Sequence, residues 1–334
     1  MNESMTEMTG KPRKTARPSD AVTALWPDVS GNSINGLDDA APGPPKPVFW
    51  RTDASTPHKP VMDYFFDRYK TDPVIAKARE YRARLKALEI DTVAPDHQER
   101  PAEEWIERVK QAALDLDADD VGVCEWRPEW NFPDRPAPTG RWAIVMAFQH
   151  DYDAMTAAPS SETYAEVTVQ YGRAGSSATK LANWIRRRGF AADAKTGPMT
   201  EDILMIPPAI AAGLGELGKH GSMIHPRFGA NFRLSVVMTD LPLLADKPLV
   251  FGADAFCLNC QVCRNACPPD AIFDTKQTVR GEQKWYVDFD KCLPYFVDNE
   301  TCGICLAVCP WSRPGIADTL ATKMARRMKR ENSA

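Results

Sequence analysis

Eight of the nine cysteines fall between residues 257 and 309, in two runs of nearly the same grammar. The first reads Cys257-x2-Cys260-x2-Cys263-x3-Cys267-Pro268, and the second Cys292-x9-Cys302-x2-Cys305-x3-Cys309-Pro310, with its first interval stretched. A [4Fe–4S] cubane takes four soft thiolates, so eight at this spacing match two cubanes. The short intervals let one tight loop wrap a cluster corner, while the fourth cysteine of each run reaches the other cluster. That rule assigns Cys257, Cys260, Cys263 and Cys309 to one cluster, and Cys292, Cys302, Cys305 and Cys267 to the other. A disulfide framework does not suit a chain of 334 residues with no visible secretion signal. Zinc ribbons use paired CxxC knuckles instead. The ninth cysteine, Cys124 in the apolar run VGVCEW, reads as a small core residue rather than a nucleophile. Clusters carry electrons and do no substrate chemistry of their own, so the rest of the chain must say where the electrons go.

The elements that position these groups can be read in order. Residues 1–60 hold nine of the 28 prolines and read as an extended segment, disordered at its start, that wraps on the body. Residues 61–100 form a helical region broken near Pro73, with Tyr64, Phe65, Phe66 and Tyr69 as core candidates. A domain over 101–250 opens with a helix at Pro101, on whose inner side Trp105, Val109, Ala112 and Leu116 recur. Two β-type runs follow, at 121–126 and 142–149, and a helix-then-strand order of this kind predicts an α/β (α+β) fold. Tyr164, Val167, Tyr171, Ala174, Ala178, Leu181 and Ile185 then make one apolar stripe of a long helix, with Gly189 at its expected end. A short helix after Pro207 and Pro208, a loop punctuated by Gly213, Gly215, Gly218 and Gly221, and a β-type run from Phe232 to Thr239 complete this domain. The glycines match neither a dinucleotide fingerprint nor a P-loop, but they permit close approach to a large planar ligand. The cysteine runs occupy a domain at 251–315, and 316–334 is a basic C-terminal helix or tail.

Composition excludes several partners. The net charge of -4 gives no nucleic-acid footprint, and no run of 18 apolar residues exists to span a membrane. The first 20 residues show neither a twin arginine nor an apolar leader core, so a cytoplasmic location is expected.

The strings GLGELGKHG (213–221) and HPRFGANFRLSVVMTDLPL (225–243), followed by the two cysteine runs, resemble the reductive dehalogenase family and, nearly as well, epoxyqueuosine reductase. The likeness is specific from about residue 160 to 312 and weak before 100. It implies a nitroreductase-like domain that binds a corrinoid (cobalamin) without a protein ligand to cobalt, followed by a bacterial-ferredoxin-like domain with two cubanes. It further implies Gly213, Leu214, Gly215, Gly218, His220, Gly221 and His225 as cofactor-binding residues, with neither histidine on cobalt. In dehalogenases a tyrosine next to a Lys or Arg donates the proton that replaces the halogen. Those positions fall on Tyr171 and Arg233, with Arg227 as the fallback cation. The expected partners are a small organohalide and a low-potential donor such as a ferredoxin or flavodoxin, and cubane potentials reach down to roughly -700 mV.

The chain departs from epoxyqueuosine reductase in two respects. Only about 25 residues follow Cys309, and GPMTEDILM (197–205) stands where that family carries an acidic catalytic motif, leaving Asp202 or Glu201 in poor register. The functional expectation is therefore a corrinoid-dependent reductive dehalogenase. The alternatives are an epoxyqueuosine-reductase-like enzyme and a non-catalytic electron-transfer or corrinoid-handling protein.

Overall fold

The computed structural model describes residues 15–51, 56–196 and 202–331. The start of the Pro-rich segment and Glu201 lie outside the described residues. The rest of that segment is anchored. α1 (Asp20–Leu25) and α2 (Gly31–Asn35) are capped by the Ser19 and Ser30 hydroxyls. Asp298 accepts hydrogen bonds from Ser19, and Asp290 from Ser30 and the Gly31 N–H. α3 (Lys59–Arg68) and α4 (Pro73–Lys86) are the two helices expected on either side of Pro73, and Asp72 caps α4 by accepting from the Val74 and Ile75 N–H groups. Phe65 and Tyr69 are buried as expected, whereas Tyr64 and Phe66 only flank that core. Phe65 stacks on Tyr164 and Phe296 at 5.8 and 5.5 Å between ring centroids, tying this helical region to two later parts of the chain.

Period-two alternation builds the centre of the molecule. α5 (Ala102–Asp115) leads into β1 (Asp120–Glu125) and β2 (Trp142–Gln149). In β2, Ile144, Met146 and Phe148 face one core while Ala143, Val145 and Ala147 face another, so the strand is covered on both sides. A short helix, α6 (Tyr152–Thr156), precedes α7 (Ser161–Arg186), the long helix of the apolar stripe. From α7, Ala174, Ala178, Leu181 and Ile185 join Trp105 and Val109 of α5 on one face of the sheet. β3 (Ala192–Lys195) carries no β-type run; it is a strand because it pairs with β6. α8 (Ile206–Ala211) lies on the opposite face, β4 (Glu216–Leu217) and β5 (Met223–Ile224) pair with each other, and β6 (Phe232–Thr239) returns to the sheet. The sheet order is β1-β2-β6-β3, antiparallel throughout.

The cysteine region folds from short pieces: α9 (Ala253–Asn259), α10 (Val262–Ala266), a hairpin of β7 (Gln277–Val279) and β8 (Glu282–Lys284), α11 (Phe289–Asp298) and α12 (Ile304–Ala307). The N-terminal segment reaches it through a bridge between Leu37 and Val279. α13 (Ala317–Glu331) is the expected basic C-terminal helix, and it packs on α9. No helix of the described residues is long and apolar enough to cross a membrane.

Candidate functional site

Two elements distant in sequence bring Tyr171 and Arg233 together. Ser160 caps α7 by accepting from the Thr163 N–H, which fixes where the helix starts and so where Tyr171 falls. Arg233 is the second residue of β6, opposite Phe148 in the sheet register. Its Cζ lies 5.0 Å from the centroid of the Tyr171 ring, and Arg82 of α4 approaches the same ring at 5.7 Å. Two guanidiniums thus hold one phenol ring by cation–π attraction and set a positive field around it. Arg227, the fallback cation, is committed elsewhere: its Nη2 donates to Asp120 Oδ2 at 2.8 Å and to the Asp119 carbonyl at 3.0 Å.

Tyr171 and Arg233 line a cavity of about 770 Å³. Its walls are apolar and aromatic, with Trp130, Ile206, Ile210, Met223, Trp285 and Tyr286, and Arg127, Arg280 and Lys284 bring positive charge to its edge. Apolar walls with a few convergent polar groups are what a large organic cofactor needs.

The glycine-punctuated loop contributes less to this cavity than the sequence suggests. Of its expected cofactor-binding residues, only Gly221 lines it, joined by Leu217, Ser222 and Met223. Leu214 is buried in the core beneath the sheet. A Cβ on Gly213 would stand 2.6 Å from the Lys247 carbonyl oxygen, one on Gly215 2.2 Å from that of Ile224, and one on Gly218 2.8 Å from the His220 ring. At each of these glycines, chain packing against chain already leaves no room for a side chain. Gly213→Ala, at φ 78°, therefore lowers stability by about 1–3 kcal/mol in a denaturation experiment whether or not cofactor is bound. His225 is likewise consumed by structure. It stacks on Phe228 at 4.1 Å, its Nε2 bonds Asp120 at 3.0 Å, and its Nδ1 accepts from the Arg227 N–H. Burial opposes the Asp120 charge, but the bonds from His225 and Arg227 outweigh it and hold the carboxyl at about 2.

Cys267, Cys292, Cys302 and Cys305 line a second cavity, of about 290 Å³, together with His220 and Gly221. Cys309 is coupled electrostatically to Cys257, Cys263 and Cys260. Burial, and then repulsion from neighbouring thiols, pushes Cys257, Cys292 and Cys309 up to about 12. Among the described residues no three His, Cys, Asp or Glu side chains form a site for a single metal ion. Gly221, Trp285 and Tyr286 line both cavities, so the cavity of the second cysteine set shares walls with the Tyr171 cavity.

Three groups near these sites escape sequence reasoning. Arg82 lies on a helix whose basic residues read as a solvent face. Lys219 is fully buried, with its N–H donating to Cys257 Sγ at 3.4 Å and its Nζ 5.0 Å from the Trp285 ring. His150, just after β2, bonds Glu166 Oε1 through Nδ1 at 3.3 Å. Burial drives His150 down to about 4, and the nearby Arg233 adds to the shift against the pull of Glu166. The unfolded chain protonates this histidine below about 6.5 while the folded one keeps it neutral. Stability is therefore full above that pH and falls as pH drops from 6.5 towards 4. His150→Asn flattens this part of the pH–stability curve by about one proton, measured as the unfolding midpoint against pH.

Residues 256–312 match the 4Fe-4S dicluster domain family. The chain is similar to the tetrachloroethene reductive dehalogenase of Desulfitobacterium hafniense, at 33% identity over 206 residues, covering 58% of this chain and 36% of that protein. It is also similar to the epoxyqueuosine reductase of Leadbetterella byssophila, at 33% identity over 118 residues, covering 30% of this chain and 34% of that one. The chain thus spans about a third of the length of the curated relatives it matches. A solved reductive dehalogenase, described as suggesting a mechanism for B12-dependent dehalogenation, superposes on it with a TM-score of 0.63 at 26% identity, covering 74% of this chain and 38% of that one. These relatives are oxidoreductases, and the α/β fold with a C-terminal cluster domain is theirs as well.

Proposed function

We propose that this chain is a corrinoid-dependent reductive dehalogenase, which replaces a halogen by hydrogen in an organohalide with electrons passed through two [4Fe–4S] clusters. The observation that carries this reading is a pair of cavities that share Gly221, Trp285 and Tyr286 as walls, one lined by Tyr171 and Arg233 and the other by Cys267, Cys292, Cys302 and Cys305. On this reading 101–250 is the corrinoid-binding domain, 251–315 the cluster domain, and 61–100 and 316–334 pack around them.

The residues present fit a corrinoid. Ile206, Ile210, Met223 and Trp285 would hold its apolar faces, Gly221 and Ser222 would offer backbone polar groups, and Arg127, Arg280 and Lys284 would meet its polar side groups. Once bound, it supplies a strongly reducing, nucleophilic cobalt centre. The protein's own part is positioning and proton delivery. Breaking a carbon–halogen bond reductively takes up two electrons and one proton, and releases a halide ion and a C–H bond. Tyr171 supplies the proton from its hydroxyl, and the guanidiniums of Arg233 and Arg82 offset the charge left on the phenol oxygen. Apolar walls around this group keep bulk water from competing as proton donor.

The test is anaerobic reconstitution of the whole chain with iron, sulfide and cobalamin, followed by a panel of haloalkenes and halophenols under a strong reductant. Stoichiometric corrinoid together with release of one halide per two electrons is the expected result. A protein that holds iron and corrinoid but frees no halide from any of them is an electron-transfer or corrinoid-handling protein. One that reduces epoxyqueuosine instead belongs with the second group of relatives.

A further inference from the structure

One side of the cluster region combines features that the proposed reaction leaves unused. α9 buries Cys257 and turns Leu258 outward with 57% of its surface exposed, and Val262, beside Cys263, is 38% exposed. A lone exposed aliphatic means little, but two of them set among the thiols of one cluster set place an apolar spot directly over it. α13 lies against the same region: Met324 is buried in one core with Cys257 and Cys309, and Leu320 and Ala321 pack against that core. The other side of the helix shows Lys323, Arg326 and Arg330, all exposed. Residues 317–330 hold five cations and one carboxylate, Asp318, in a chain whose net charge is -4. Positive charge is therefore concentrated beside Cys257 and Cys309 of the first cysteine set, while the second set lines a cavity that shares walls with the Tyr171 cavity.

We infer that this face, Leu258 and Val262 with the outer side of α13, docks an acidic one-electron carrier protein, which hands its electron to the first cysteine set. The inference rests on the proposed reading that the cysteines hold clusters. A basic amphipathic helix also suits an anionic membrane surface. Here, however, its apolar side is already occupied by the α9 core, so none is left to enter lipid. A small apolar centre within a charged rim has the anatomy of a transient interface. Steering by charge speeds encounter more than it tightens the complex, as a carrier that must leave after each transfer requires. Each docking oxidises the carrier by one electron and reduces the first cluster by one, so two dockings supply the two electrons that a C–X to C–H conversion consumes.

The experiment follows bleaching of the cluster absorbance in the anaerobic holoprotein by stopped flow, with no organohalide present. The electron donors are a reduced acidic flavodoxin and, for comparison, a viologen bearing a single propylsulfonate arm, which is neutral in its one-electron-reduced form. In the wild type, the flavodoxin rate falls as salt is raised and the viologen rate does not. Lys323→Glu, Arg326→Glu and Arg330→Glu together lower the flavodoxin rate by about tenfold or more, and leave the viologen rate unchanged. The milder set Lys323→Gln, Arg326→Gln and Arg330→Gln gives a smaller loss in the same direction, should the reversed charges disturb folding. A wild-type flavodoxin rate indifferent to salt, or an unchanged flavodoxin rate in the glutamine set, overturns the inference. So does loss of sedimentation with phosphatidylserine vesicles in those variants while the flavodoxin rate stays put, an outcome that assigns the face to a membrane. Because no dehalogenation is measured, failure of the dehalogenase reading leaves this result standing, whereas protein without iron fails both.

Discussion

Tyr171→Phe keeps its fold, iron content and corrinoid binding, and turns over about 10²–10⁴-fold more slowly, the usual contribution of a positioned acid. The substitution removes one oxygen and leaves the ring where Arg233 and Arg82 hold it, 5.0 and 5.7 Å from its centroid. Packing is therefore conserved while the proton is lost. Arg233→Met does comparable damage for a different reason, because the phenol keeps its proton but loses a neighbour that offsets its charge. Halide release under excess reductant reads the chemical step, while iron and corrinoid assays confirm that the site is intact. A Phe variant that unfolds or fails to bind corrinoid marks Tyr171 as a core residue of α7. One that turns over normally moves proton delivery to another group.

Cys267→Ala abolishes turnover and removes about four of eight irons, those of the cluster built mainly from the second run. Cys267 belongs to the first run by sequence, yet it shares a cavity with Cys292, Cys302 and Cys305. Cys309→Ala has the mirrored effect on the cluster of Cys257, Cys260 and Cys263. Electron paramagnetic resonance of the dithionite-reduced variants separates the two cases, because each should retain the signal that the other loses. If both variants lose the same signal, or if Cys267→Ala keeps all its iron, the crossing of the fourth cysteine is wrong for this chain.

Legibility in the sequence followed the range of the interaction involved. Strands β1, β2 and β6 and helix α7 are readable because period-two and period-3.6 apolar patterns report local geometry. β3 is not, because ADAK becomes a strand only by pairing with β6. The cysteine sets are readable because cluster chemistry dictates spacing within a run. The glycine loop misleads for the opposite reason. Close approach of backbone to a ligand and of backbone to backbone leave the same mark in sequence, and at Gly213 and Gly215 the neighbours are carbonyls of Lys247 and Ile224. Arg82 and Lys219 carry no local signal at all. A cation's burial depends on which segment later covers it, and here the covering groups lie far along the chain.

The anchoring of α1 and α2 bears on how the molecule is made. Ser19 bonds Asp298 across a separation of 279 residues, and Gly31 bonds Asp290 across 259. On a ribosome adding 5–20 residues per second, Ser19 waits roughly 15–60 s for its partner to be synthesised. Closing so large a loop costs little more entropy than closing one half its length, so the delay arises from synthesis rather than from chain statistics. For that interval α1 and α2 have no seat, and because Cys302 and Cys305 follow Asp298 in the chain, the seat and the second cysteine set become complete at nearly the same late stage. A chain shortened at its front, with α1 and α2 removed, is then expected to load its clusters as readily as the intact one but to lose them sooner.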